Sequence, residues 1–146
     1  MDIHAFVNMD TATTTARVEL GTDPATGNAF GVMIVGVDSP QWAGEKHRQM
    51  LEGRARARDE NKHPEKKIDM DSEEGQTEFQ RRFAANMLGF ACTVTVDWFG
   101  FTSKGKAAKF DAATVRKLYE SRRSYIDKVM NAAEDSARFL PTPEKA

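Results

Sequence analysis

Apolar and polar residues alternate from Ala16 to Leu20, with Val18 and Leu20 on one side and Arg17 and Glu19 on the other. This period of two is that of a half-buried strand. Thr22 to Asn28 follows, where Pro24 presets one backbone angle and Gly27 tolerates positive φ, so the chain is expected to reverse there. Ala29 to Val37 reads as a second, β-branched strand, giving an antiparallel hairpin over 16–37. Two strands are marginal alone, and Val94–Trp98, with Val94, Val96 and Trp98 on one side, is the natural third.

The pattern shifts to helical spacing elsewhere. Ser39 before Pro40 marks a helix start, since Ser caps and Pro needs no donor in the first turn. From Gln41 to Asn61 the large apolar residues are chiefly Trp42, Met50 and Leu51, so this helix is expected to lie largely outside the core, its second half in solvent. Proline inside the charged run Asn61–Asp71 predicts a loop, and the segment 54–71 is expected to be mobile. Asp71 and Glu74 have capping-box spacing for a helix over 73–90. Its Phe79, Phe83, Met87 and Leu88, with Phe90 near the end, make a stripe that should face the core. Farther on, Asp111 reads as an N-cap and Phe110 as a staple onto Val115, with Val115, Leu118 and Tyr119 on one face. Ser124 and Asp127 have the spacing to open a last helix bearing Ile126, Val129, Met130, Ala133, Ala137 and Leu140.

The expected fold is therefore α+β: a small antiparallel sheet (hairpin 16–37 plus strand 94–98) packed by about four helices, the C-terminal two forming a pair. Residues 1–140 suit a single domain, and 141–146, with two prolines and no large apolar side chain, a flexible tail.

Composition narrows the function classes. Twenty-one basic against 22 acidic residues leave a net charge of -1, so no whole-chain field favours nucleic acid or an anionic membrane. No stretch approaches the ~20 apolar residues of a membrane helix, and the first residues lack a signal peptide's basic start and apolar run. The single cysteine, Cys92, sits in an apolar run and reads as a small hydrophobe. Between Glu45 and Lys67, eight Lys or Arg face five acids. Arg54, Arg56 and Arg58 are spaced by two, so they splay around a helix and form no single stripe. A solvated helix is the simpler reading, and nucleic acid is not an expected partner.

No residue set has catalytic spacing. His4, His47 and His63 are far apart, no serine sits in a nucleophile elbow, and Cys92 has no adjacent base. Gly100–Ala107 (GFTSKGKA) imitates a phosphate-binding loop but lacks the Ser or Thr after the lysine, and Asp111 opens the next helix instead. No catalytic, cofactor or metal site is expected.

What stands out is aromatic. Trp98, Phe99 and Phe101 cannot all face inward from one strand, because neighbours alternate; Trp98 is assigned to the core and Phe99 to a second surface. Tyr125, Phe139 and Leu140 pose the same question at the end of the helical pair. The order Trp98, Gly100, Phe110, Leu118, Tyr119, Phe139, Leu140 resembles tail assembly chaperones and related small tail-morphogenesis proteins of long-tailed bacteriophages. The resemblance extends to Asp23–Gly27 and Val37–Pro40 and skips the middle of the chain. It implies a non-enzymatic protein of the host cytoplasm that covers hydrophobic segments of other phage tail proteins, tape measure or tail tube, and that is compatible with homo-oligomers. Its contact residues would be Phe99, Phe101, Tyr119, Tyr125, Phe139 and Leu140. The alternatives are a minor tail or head–tail joining protein retained in the virion and, on the basic run alone, a small nucleic-acid-binding regulator.

Overall fold

A computed structural model describes residues 1–140; the expected tail, 141–146, lies outside the described residues. Strand β1 (Ala16–Thr22) pairs antiparallel with β2 (Ala29–Ile34), placing Arg17 opposite Met33 and Val18 opposite Val32. Strand β3 (Thr95–Phe99) adds to the other side of β2, with Trp98 opposite Val32 and Phe99 opposite Gly31. The order is β1-β2-β3, so the expected hairpin and third strand form one antiparallel sheet.

The alternation anticipated in β1 is observed: Ala16, Val18 and Leu20 are buried, and Arg17 and Glu19 are exposed. With Val32 and Ile34 they form a sheet face covered by three helices, α3 (Glu73–Val94), α4 (Ala112–Ser121) and α5 (Arg123–Glu134). From these come Leu88, Ala91 and Val94, then Val115 and Tyr119, then Ile126, Val129, Met130, Ala132 and Ala133. The fold is α+β, with the C-terminal helices α4 and α5 packed together as expected.

Local expectations are met in part. Helix α2 (Pro40–Lys62), capped by Ser39 Oγ accepting from the Trp42 amide, lies largely outside the core as expected, with Glu45 its one buried residue. Its first half runs along α3: Trp42 stacks on Phe90 with ring centroids 4.3 Å apart, and Gln49 Nε2 donates to the Asn86 carbonyl at 2.9 Å. Residues 54–62 continue this helix, and Pro64–Lys66 form a single 3-10 turn. Ser72, not Asp71, caps α3, its hydroxyl accepting from the Gly75 amide at 2.9 Å. Helix α5 begins at Arg123 rather than Ser124, directly after α4, with no side-chain cap.

The largest correction concerns α3. Leu88, Ala91 and Val94 face the core, while Phe79 and Phe83 are 52% and 59% exposed. The expected Phe stripe is real, but the helix extends beyond the sheet there, and the described residues leave the two rings more than half exposed. Two elements appear that the hydrophobic pattern did not predict: helix α1 (Ile3–Val7), entirely exposed, and a miniature hairpin of β4 (Thr102–Ser103) and β5 (Lys106–Ala107).

Candidate protein-binding surface

The hairpin after β3 shapes an apolar surface cavity. Gly100 turns the chain with φ +78°, and a Cβ there would lie 2.3 Å from the Ala29 carbonyl oxygen, so only glycine fits. At the tip of β4–β5, Lys104 and Gly105 both have positive φ, 54° and 78°. This pair makes the tight two-residue hairpin turn that strand twist favours. The stretch that imitates a phosphate-binding loop is therefore a β-hairpin, whose amides pair with strand carbonyls and do not converge on an anion.

The hairpin returns the chain across Trp98, whose indole Nε1 donates to the Ala108 carbonyl at 2.8 Å. Around that anchored indole, Phe101 sits at 5.4 Å tilted by 59°, and Phe110 at 5.4 Å edge-on. Phe101 also contacts Phe30, with centroids 5.3 Å apart. These are favourable offset geometries for aromatic pairs. Helix α4 supplies the opposite wall. Val115 and Tyr119 are buried against the sheet, whereas Thr114, Lys117, Leu118 and Ser121, spaced by three or four residues, look into the cavity. The result is a groove of about 770 Å³ with Trp98, Phe101, Ala108 and Leu118 forming its apolar walls and Lys109, Lys117 and hydroxyls at its rim. Asp111 is the acid on that rim. The Thr114 hydroxyl, donating at 2.5 Å, holds its carboxyl below the usual range against an opposing effect of burial.

The six residues nominated from the sequence do not form one surface. Phe101 lines the groove. Phe99 lies on the other sheet face, beside Gly31, with the Arg17 guanidinium 3.6 Å above its ring. Tyr125 is half-buried on α5 with Lys128 Nζ 5.7 Å from its ring centroid, and Leu140 is half-buried at the end of the described chain. Two nominations are corrected. Tyr119 has no exposed surface, and its hydroxyl is 2.6 Å from Thr95 Oγ1 in the core. Phe139, 3% exposed, closes over Gly36, where a Cβ would come within 2.8 Å of its ring. Both are large apolar bodies placed by the helical pair over the sheet, so the core takes them.

Trp98, Leu118, Lys109 and Lys117 were not nominated, although the spacing of Thr114, Lys117, Leu118 and Ser121 was a legible sign of a second helix face. A second cavity, about 660 Å³, lies between β1 and α5. It is polar, with Arg17 paired to Glu19 at 3.7 Å, Arg138 to Asp135 at 3.3 Å, and Lys128 Nζ donating to the Leu20 carbonyl at 3.3 Å. In the basic run, Arg48 and Arg56 pair with Glu52 and Lys66 with Asp59. Cys92 is half-buried, and burial pushes its thiol upward, away from the reactive thiolate. Among the described residues no three His, Cys, Asp or Glu side chains are grouped to hold a metal ion, and no helix is long and apolar enough to cross a membrane.

No protein-family model, curated protein or solved structure matches the chain.

Proposed function

We propose that this protein is a binding protein rather than an enzyme, and that it covers apolar segments of other polypeptides in the groove between the β4–β5 hairpin and α4. The observation that carries this reading is the open apolar wall of Trp98, Phe101 and Leu118 beneath Lys109 and Lys117. A large apolar side chain placed there leaves water at a gain of about 1.5–3 kcal/mol, and the anchored indole keeps the wall from collapsing when empty. The two lysines favour segments that carry carboxylates beside the apolar anchor.

The resemblance of Trp98, Gly100, Phe110 and Leu118 to tail assembly chaperones names the client class: tape-measure or tail-tube subunits of a long-tailed phage, held soluble in the host cytoplasm until assembly. Partly assembled tail subunits expose apolar stripes that aggregate, and a reversible cover answers that need. Co-expression with such a subunit is expected to raise its soluble yield, and Leu118→Asp with Phe101→Ser to abolish the gain while the protein stays folded. An unchanged yield with the folded wild type would refute the chaperone reading. Mass spectrometry of purified particles adds the contrast with a structural role, because a chaperone is missing from the finished virion and a minor tail component is present.

A further inference from the structure

Helix α1 and the groove are two unpartnered surfaces of opposite charge on one chain. In α1, Ile3, Phe6 and Val7 recur at helical spacing and form one stripe, 63%, 43% and 70% exposed. No residue of α1 is buried, and none lines the groove. A helix this short does not persist on propensity alone, so its stripe calls for a covering surface. Asp2, whose carboxylate accepts from the Ala5 amide, opens the helix, and Asp10 follows it. No Lys or Arg occurs before Arg17, so this arm is both apolar and anionic.

The groove is its counterpart. Trp98, Phe101, Ala108 and Leu118 give apolar walls, and Lys109 and Lys117 outnumber Asp111 at the rim. The positive excess continues around it: residues 101–123 hold seven Lys or Arg against Asp111 and Glu120, whereas the rest of the chain holds 14 against 20 acids. Glu120 is engaged by Arg116 at 3.0 Å, which leaves the lysines to set the field at the groove. Other cavities suit the arm less well. The one between β1 and α5 has charged walls, and the notch beside Phe83, about 170 Å³ and lined by both Arg123 and Asp127, is small and charge-balanced. The arm springs from β1 and the groove flanks β3, at opposite edges of the sheet, so the body of each copy stands between its own arm and its own groove. The eight residues 8–15 that join α1 to β1 span up to about 26 Å when extended and can carry α1 clear of that body. We infer that α1 of a second copy seats Ile3, Phe6 and Val7 in the groove, with its carboxylates toward Lys109 and Lys117.

This self-recognition rests on the groove being a polypeptide site, as proposed above, but needs no client, so the purified full chain tests it. Sedimentation equilibrium of the wild type should show association that is lost on dilution and weakens as salt rises. Phe6→Ser, which disturbs nothing buried, should weaken association at least about tenfold at an unchanged melting temperature. Lys109→Glu with Lys117→Glu, both exposed, should do the same from the groove side. Each variant keeps the surface that the other lacks, so an equimolar mixture should recover association through one junction of unlike surfaces and stop at two copies. A wild type that is monomeric at every concentration, its arm free or closed onto its own groove, would overturn the proposal. So would undiminished association in either variant, indifference to salt, or a mixture that stays monomeric. Self-association without any gain in client solubility sinks the chaperone reading alone, and a client gain without self-association sinks this one alone.

Discussion

The hydroxyls of Thr95 and Tyr119 meet at 2.6 Å inside the core, and Thr95 Oγ1 also lies 2.7 Å from the Ala91 carbonyl. One residue begins β3 and the other sits in the last turn of α4, so the bond joins sheet to helix where both are sealed from water. Tyr119→Phe retains the ring and removes the bond, leaving Thr95 satisfied by Ala91. The expected cost is about 1 kcal/mol in denaturant unfolding, with little change in the cooperativity of the transition.

The same burial sets an alkaline limit. It pushes the Tyr119 phenol well above its ordinary value, with the Thr95 bond drawing it partly back. The unfolded chain releases this proton near pH ~10 and the folded chain does not. Stability from this group is thus complete below that pH and falls as pH rises through the unfolded value toward the folded one. Spectrophotometric titration should find Tyr119 ionising only together with unfolding.

Acid is expected to act through Glu45. It is 8% exposed in α2 and accepts Arg48 Nη2 at 2.6 Å and Gln49 Nε2 at 3.0 Å. The Arg48 bond holds the carboxyl below its ordinary range, and burial opposes this. Its contribution is present above the ordinary carboxylate pKa and lost as pH falls through the folded value. Glu45→Gln should cost about 1–2 kcal/mol at neutral pH, and its difference from wild type should vanish in acid, measured by urea unfolding at several pH values.

Gly31 is expected to tolerate no side chain. A Cβ there would lie 2.0 Å from the Val18 carbonyl oxygen and 2.7 Å from the Phe99 ring, one rigid backbone group and one ring packed across the sheet. Gly31→Ala should therefore destabilise by about 3 kcal/mol or more, visible as a large fall in melting temperature.

Phe101 and Phe139 test the division between surface and core. Phe139→Ser opens a cavity over Gly36 and should cost about 3–5 kcal/mol. Phe101→Ser sacrifices two aromatic contacts at the groove and should cost about 1–3 kcal/mol, losing client binding while remaining folded by circular dichroism.

The sequence alone determined the three strands of the main sheet and the starts of α2 and α4, because alternation, β-branching and turn residues act over a few neighbours. Arg17 and Glu19 had to face away from Val18 and Leu20 whatever lay above the sheet, and Ser39-Pro40 had to open a helix. Tertiary structure alone decided which apolar residues are covered. Tyr119, Phe139, Phe79 and Phe83 have the same hydrophobic character in the chain, yet the first two are buried and the last two exposed. Burial depends on what stands opposite, and the length by which α3 outruns the sheet is set by packing between segments far apart in sequence.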